Sequence, residues 1–203
     1  MINVGEQLVA SYLQYIRGCD FTQTNVRTVE TQGEIDVLGV DLKNRRAYIC
    51  EVAVHLTTGL LYVGKDGKSS NTPKLTDKFS RDIVYAEKYL ADYERRYMLW
   101  SPVVRVGPSK STNQLAELNQ MAANIREKHG VEVEFVVNAA FLAAYEKLRE
   151  FAAKQTAELK CPLLRMMQLE AYLRKHVAKL PVSNAPALPE STQPAAISLP
   201  LGT

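Results

Sequence analysis

Segments of helical and of strand character alternate along most of this 203-residue chain, and this alternation restricts its fold more than any other feature. Apolar residues recur every three or four positions from Val4 to Ile16, which predicts an amphipathic helix that ends near Gly18. Three strand-like segments follow, and helices then separate the later strands. The predicted order is α-β-β-β-α-β-α-β-α-α, which is typical of a three-layer α/β domain with a mixed central sheet flanked by helices.

The individual segments are predicted from periodicity and from turn residues. The predicted strands cover 21–29, 35–40, 47–56, 97–106 and 131–137, and the later helices cover 114–129, 139–160 and 163–180. One more helix is expected to open at Thr72-Pro73, with Thr72 as its N-cap. We therefore divide the chain into an α/β core (1–138), a C-terminal helical extension (139–180) and a flexible tail rich in Pro, Ala and Ser (181–203).

Composition excludes several classes of protein. Lys and Arg number 25 against 22 Asp and Glu, so the net charge of +3 argues against a polycation and an acidic solvating protein, yet it permits a nucleic-acid partner. The three widely spaced cysteines predict free thiols in a reducing compartment. No secretory signal and no apolar run of about 20 residues is present. We therefore expect a cytoplasmic, soluble protein without a membrane partner.

Acidic residues occur at two strands that the sequence predicts to be neighbours. Asp36 lies at the start of one strand, and Glu51 lies within the apolar run Tyr48-Ile49-Cys50-Glu51-Val52-Ala53-Val54. A buried carboxylate is costly unless it is paired or binds a cation. Two converging carboxylates can hold Mg²⁺, which completes its shell with water and phosphate oxygens. The pair also admits a purely structural explanation, since acidic residues are common near hairpins.

Four short segments together resemble those of the PD-(D/E)xK nuclease superfamily. They are Gly5-Glu6 at the start of the first helix, Asn25-Val26-Arg27, Gly33-Glu34-Ile35-Asp36, and Glu51-Val52. Over about residues 3 to 100 the chain is most similar to YraN-like proteins and to archaeal Holliday junction resolvases. The resemblance implies a restriction-endonuclease-like core and a deoxyribonuclease that depends on Mg²⁺ or Mn²⁺. It also implies that Asp36 and Glu51 bind the metal and that Glu6 assists them.

The sequence departs from this family where its E-x-K lysine is expected, because Ala53 stands there. That lysine orients or deprotonates the attacking water and stabilises negative charge, which Ala53 cannot do. Lys74 or Lys78 on the following helix can replace it, or His55, which shares the strand parity of Glu51. Alternatively, the site is degenerate, and the chain is a nucleic-acid-binding or protein-interaction module with a nuclease fold. A lysine amine within a few ångströms of both carboxylates would favour catalysis.

Each candidate also has an ordinary structural role open to it. Glu6 is a first-turn carboxylate that a helix dipole favours, and Glu34 is placed to pair with Arg27. His55 is placed as a strand-end surface residue, whereas Lys74 and Lys78 suit a solvated helix surface.

Two surfaces suggest partners. Lys65, Lys68 and Arg81 lie beside the predicted site, where cations can contact the phosphates of DNA without reading its sequence. The last helix carries a broad apolar surface, which is expected to pack on the core or to form a homodimer. Its residues are Leu163, Leu164, Met166, Met167, Leu169, Tyr172 and Leu173.

Overall fold

Five helices and five strands make up the computed structural model, which describes residues 3–29, 32–64, 67, 69–108 and 113–180. Their order matches the predicted one throughout. The elements are α1 (Val4–Tyr15), β1 (Phe21–Thr28), β2 (Gly33–Asp41), β3 (Arg46–Val52), α2 (Asn71–Tyr89), β4 (Glu94–Ser101), α3 (Gln114–His129), β5 (Val133–Val137), α4 (Ala139–Lys154) and α5 (Pro162–Val177).

The strands form one mixed sheet in the order β1-β2-β3-β4-β5. The first three strands pair antiparallel through two hairpins, and β4 and β5 join in parallel. The helices α1, α4 and α5 pack on one side, which we call the α1 face, and α2 and α3 pack on the other, the α2 face. The prediction of an α/β fold with a mixed sheet between helical layers is confirmed.

The central strand β3 is buried because helices cover both of its sides. Side chains alternate along it, so Tyr48 and Cys50 enter the apolar core of the α1 face, whereas Ala47 and Ile49 enter that of the α2 face. By the same alternation, Glu51 is directed to the α2 face. The near-continuous apolar character of this segment is explained by burial on both sides.

Several element boundaries differ from the predictions; β4, for example, covers Glu94–Ser101 rather than 97–106. Helix α2 begins at Asn71 with Ser70 at its N-cap, so the expectation of an N-cap at Thr72 is wrong. The buried Asn71 side chain accepts a hydrogen bond from the Tyr62 N–H at 2.7 Å and donates to the Leu60 carbonyl at 2.9 Å, which holds this helix start in place. Strand β3 ends at Val52, before the predicted end at 56, and α4 ends at Lys154, before the predicted end at 160.

The C-terminal helices belong to the same apolar core as the sheet. Leu148 on α4 and Leu164 on α5 are fully buried in one cluster with Leu13 and Trp100. Half of the apolar surface predicted on α5 therefore packs inward, and the other half, which includes Met166 and the exposed residues that follow it, faces outward. Dimerisation through the outward half stays a prediction.

The remaining expectations concern cysteines, membranes and the tail. Cys19, Cys50 and Cys161 are all free thiols, as predicted. In the part of the chain that the structure describes, no helix is both long and apolar enough to cross a membrane. The predicted tail, 181–203, lies outside the described residues.

Candidate active site

The two predicted metal ligands meet where β2 and β3 stop pairing. Val37 and Cys50 form the last pair of this ladder, and the next position in the same register places Asp36 opposite Glu51. There the strands separate, and the Asp36 carboxylate (Oδ2) accepts a hydrogen bond from the Val52 N–H at 2.7 Å. The two carboxylates therefore lie close together at the point where the backbone pairing of β2 and β3 ends.

Glu51 is the most deeply buried member of the site, with a side chain that is 1% exposed. Apart from its contacts with Lys78 and Asp82, neither of its oxygens has a hydrogen-bond partner among the described residues. Burial, followed by the nearby Asp36 charge, raises the pKa of Glu51 well above its ordinary value, although Lys78 acts against this. An acid in this environment requires a cation or a proton.

Lys78 supplies one such cation from α2. Its amine forms a direct ion pair with Glu51 Oε2 and lies 3.5 Å from Asp36 Oδ2. Burial by itself would lower the pKa of Lys78, but the Glu51 and Asp36 carboxylates outweigh burial and raise it. The amine is therefore held charged between the two predicted metal ligands. Of the three predicted substitutes for the missing lysine, Lys78 is the one that the structure brings to both carboxylates.

The other two candidates are placed elsewhere. Lys74 is exposed, and its amine donates to the Val63 carbonyl at 3.1 Å and lies over the Tyr62 ring. His55 is exposed beyond the end of β3. Ala53 itself is 4% exposed and packs in the apolar core of the α2 face. The position at which the resemblance places a lysine is thus filled by a buried alanine.

A third buried carboxylate, Asp82, was not predicted from the sequence. It lies one turn after Lys78 on α2, is 1% exposed and is close enough to Glu51 for the two carboxyl groups to share a proton. Burial raises the pKa of Asp82 to about 6, although the Glu51 hydrogen bond and Lys78 act in the opposite direction. A hydrogen bond between two carboxyl groups requires a proton on one of them. Asp82 therefore competes with any cation for the buried Glu51 oxygens.

Sequence contained a signal for Asp82. It lies seven positions after Leu75 and three after Phe79, on the apolar stripe by which α2 packs on the sheet. An acidic residue on such a stripe is directed into the core and needs a partner.

The Tyr62 side chain is a second neighbour of the site that the sequence did not predict. Burial raises its pKa, Lys78 opposes this, and the Glu51 and Asp36 charges add to it.

Glu6 joins the site from the α1 side. The Asn3 side chain caps α1, and the Glu6 carboxylate accepts a hydrogen bond from Asn25 Nδ2 at 2.7 Å. Asn25 has a φ of 54° and lies between two ladder pairs of β1 and β2, at the register position opposite Asp36. Glu6 is therefore linked to Asp36 through Asn25 rather than by direct contact.

Gly5 allows this close approach of α1. A Cβ atom at this position would lie 2.4 Å from Val54 Cγ2 and 3.2 Å from Val52 Cγ1. Any larger residue would push the helix N-terminus away from the end of β3. The Gly5-Glu6 pair thus has a steric explanation. The glycine lets the start of α1 approach β3, and the next residue carries the carboxylate.

An open cleft of about 580 Å³ leads from the surface to Asp36 and Lys78. One wall is the β1–β2 hairpin, with Arg27 and Glu34, and the other is α2, with Arg81. Arg27 and Glu34 are directly opposite each other in the ladder, but no ion pair joins them in the described residues. Arg81 thus lies beside the site, as predicted. Lys65 and Lys68, the other predicted phosphate contacts, lie outside the described residues.

The donor set fits a hard divalent cation. Among the described residues, no three or more His, Cys, Asp or Glu side chains are arranged to hold a metal. Two carboxylates are nevertheless sufficient for Mg²⁺, which keeps several waters. Three carboxylates, Asp36, Glu51 and Asp82, face a single ammonium group here. The excess negative charge and the Glu51 oxygen that Lys78 does not contact are what a bound cation would compensate.

Comparisons of the chain with protein-family models, with curated proteins and with solved structures find no match.

Proposed function

We propose that the chain is a metal-dependent nuclease that hydrolyses DNA phosphodiester bonds in the cytoplasm. Its fold would be restriction-endonuclease-like, within the PD-(D/E)xK superfamily, and related to YraN-like and Holliday junction resolvase-like proteins. One observation carries this proposal. The Lys78 amine contacts both Asp36 and Glu51, so α2 supplies the cation that the sequence lacks at Ala53.

Asp36 and Glu51 would hold Mg²⁺ or Mn²⁺ through their carboxylate oxygens. When bound, such an ion lowers the pKa of water and neutralises developing phosphate charge. The Val52 N–H fixes one Asp36 oxygen by its hydrogen bond, which limits the rotation of that carboxylate. A fixed carboxylate keeps its remaining oxygen directed at one point, as efficient metal binding requires.

Lys78 would act on the water and on the phosphate. The Lys78 side chain is 26% exposed, so it is buried enough to be held and open enough to reach the cleft. A cation in this place orients the attacking water and stabilises the negative charge of the transition state. Because Glu51 and Asp36 raise its pKa, Lys78 serves as a charged donor rather than as a neutral base.

Glu6 would act as a positioning residue. Its carboxylate holds the amide of Asn25, which stands beside Asp36 in the ladder. This hydrogen bond stabilises the left-handed conformation of Asn25 in β1 and so helps to fix the position of Asp36.

Cleavage of plasmid and branched DNA with Mg²⁺ or Mn²⁺ tests the proposal. We expect wild-type activity that Asp36→Asn and Glu51→Gln each reduce by at least about 100-fold, since even outer partners of metal ligands cost about 10- to 100-fold. Asp77→Asn is the matched control, because Asp77 is an exposed acid on the same helix. This control should cleave like the wild type.

A different result would support the other function that the sequence leaves open. If the wild type cleaves no tested DNA with either metal but still binds DNA, the nuclease proposal is refuted. The Lys78–Glu51 ion pair would then be a structural element of a degenerate nucleic-acid-binding module. If it neither cleaves nor binds, a protein-interaction domain is the remaining explanation.

A further inference from the structure

The cleft beside the candidate site contains two arginines that have no carboxylate partner among the described residues. Arg27 is exposed on β1 and Arg81 lies on α2, so they stand on opposite walls. The Arg81 guanidinium donates to two backbone carbonyls, those of Asp77 at 3.3 Å and Gln32 at 3.4 Å. Neither arginine forms an ion pair with a carboxylate in the described ranges.

Most other arginines of this chain do form such pairs. Arg17, Arg45, Arg46, Arg96, Arg126, Arg149, Arg165 and Arg174 each contact an Asp or Glu carboxylate. An exposed arginine therefore usually has an acid beside it on this surface. The two arginines of the cleft keep their guanidinium groups available, which suits an anion that enters from outside.

We take the occupant of the cleft to be one strand rather than a duplex. The cleft volume of about 580 Å³ is within the roughly 300 to 1,000 Å³ of small-ligand sites. A duplex is much wider, since its major groove alone is about 12 Å across. The contact from Arg81 to Gln32 also joins the two walls at one end. These features favour a single strand between the hairpin and α2.

The lining also indicates how that strand is held. The described residues that line the cleft include no aromatic side chain on which a base could stack. Two guanidinium groups and the Lys78 amine are the cationic groups present. Binding through phosphates alone is independent of sequence and strongly dependent on salt.

We propose that Arg27 and Arg81 hold the sugar-phosphate backbone of a single DNA strand from both sides and deliver one phosphodiester to Asp36 and Lys78. This inference rests on the proposed function and names its substrate as single-stranded segments, including those at branches. Glu34, an acid on the Arg27 wall, repels the phosphates of the strand. Its neutralisation should therefore strengthen binding, whereas loss of either arginine should weaken it.

Fluorescence anisotropy in EDTA separates binding from cleavage. The probe is oligo(dT) of about 20 nucleotides, long enough for binding sites of up to about 16 nucleotides. Arg27→Ala and Arg81→Ala should each weaken binding about 10-fold, as expected for loss of a charge-assisted hydrogen bond. Each should also reduce the slope of log K against log salt by about 0.7. Glu34→Gln should strengthen binding about 2- to 3-fold by removing a repulsive charge.

Arg126→Ala is the matched control, because Arg126 is an exposed arginine paired with Glu132 away from the cleft. It should bind oligo(dT) within about 2-fold of the wild type. A blunt duplex of the same length should bind at least about 10-fold more weakly and should not respond to Arg27→Ala. Unchanged oligo(dT) binding in both cleft variants would overturn the inference. Equal binding of the duplex with the same loss in Arg27→Ala would overturn the choice of a single strand.

The two proposals fail in different ways. If Asp36→Asn abolishes cleavage while Arg27→Ala and Arg81→Ala bind and cleave like the wild type, the nuclease stands and this inference falls. If no protein cleaves DNA but the cleft variants lose oligo(dT) binding, the nuclease proposal falls, and what stands is the binding of a single strand by Arg27 and Arg81.

Discussion

The two faces of the sheet are buried to the same extent but by different chemistry. On the α1 face, Leu13, Trp100 and Leu148 are fully buried among other apolar side chains. On the α2 face, an equally dense core around Phe79 surrounds Glu51 and Asp82, both 1% exposed. One sheet therefore supports an ordinary core on one side and a charged site inside a core on the other.

This difference bears on which face carries the candidate chemistry. Buried ion pairs contribute little net stability, because the loss of hydration roughly cancels the attraction between the charges. Apolar residues of similar volume would pack the α2 face at least as well. The proposed nuclease chemistry would give Glu51, Asp82 and Lys78 a role there, because it requires charge in a partly dry cleft.

The largest expected effect comes from removing the cation of the α2 face. Lys78→Met keeps the length of the side chain but leaves Glu51 and Asp36 without their ammonium partner. We expect DNA cleavage to fall by about 10²- to 10⁴-fold, the usual contribution of a group that assists proton transfer. Lys74→Met, on the exposed side of the same helix, should cleave normally. Equal activity of the two variants would show that Lys78 has no catalytic role.

A truncation on the α1 face should produce the opposite pattern. Leu148→Ala creates a cavity in the apolar core and should lower the free energy of unfolding by about 2 to 5 kcal/mol. Cleavage per folded molecule, measured beside urea unfolding, should stay at the wild-type level. Leu142→Ala on the same helix is the control, since Leu142 is 59% exposed and its loss should cost little. Loss of specific activity in folded Leu148→Ala would mean that the two faces are coupled.

The smallest effect concerns the proton shared by the acids of the α2 face. The folded-state pKa of Asp82 is about 6 against an ordinary 3.8, so the folded protein binds more protons than the unfolded chain between these values. Burial raises the pKa of Glu51 as well, so both acids make stability in EDTA fall as pH rises, and Asp82 should contribute about 3 kcal/mol of that fall. Asp82→Asn should remove the Asp82 contribution and be more stable than the wild type near pH 7.

Urea unfolding of both proteins from about pH 4 to pH 7 measures this difference. Burial lowers the pKa of His129 in both proteins, so its effect on the difference cancels. A pH-independent difference between the two curves would contradict the assignment of the raised pKa to Asp82.

The sequence predicted the order of the elements because hydrophobic periodicity decides it locally. Asp36 and Glu51 were also predictable, since strand alternation and hairpin pairing place them on one side of neighbouring strands. Selecting Lys78 over Lys74 was not possible, because both lie on α2 and only the rotation of that helix against the sheet separates them. That rotation is fixed by distant packing, such as Leu75 and Phe79 against the sheet.

Other parts of the site depend on contacts that no local pattern encodes. The partnership of Glu6 with Asn25 requires the approach of α1 to β1, across 19 positions of sequence. The early start of α2 depends on tertiary hydrogen bonds of the Asn71 side chain. Periodicity contains no information on such bonds, which is why boundaries were less predictable than element order.

The left-handed backbone of Asn25 also affects whether other copies of the protein can pair with the edge of the sheet. β1 is an edge strand, and a long straight edge offers unpaired N–H and C=O groups to any other extended chain. The kink at Asn25 interrupts that row near its middle. Asn25 thus contributes to the candidate site around Asp36 and also protects the edge of the sheet. A β-branched residue there would leave an edge strand that can pair with another chain, and it would displace Glu6.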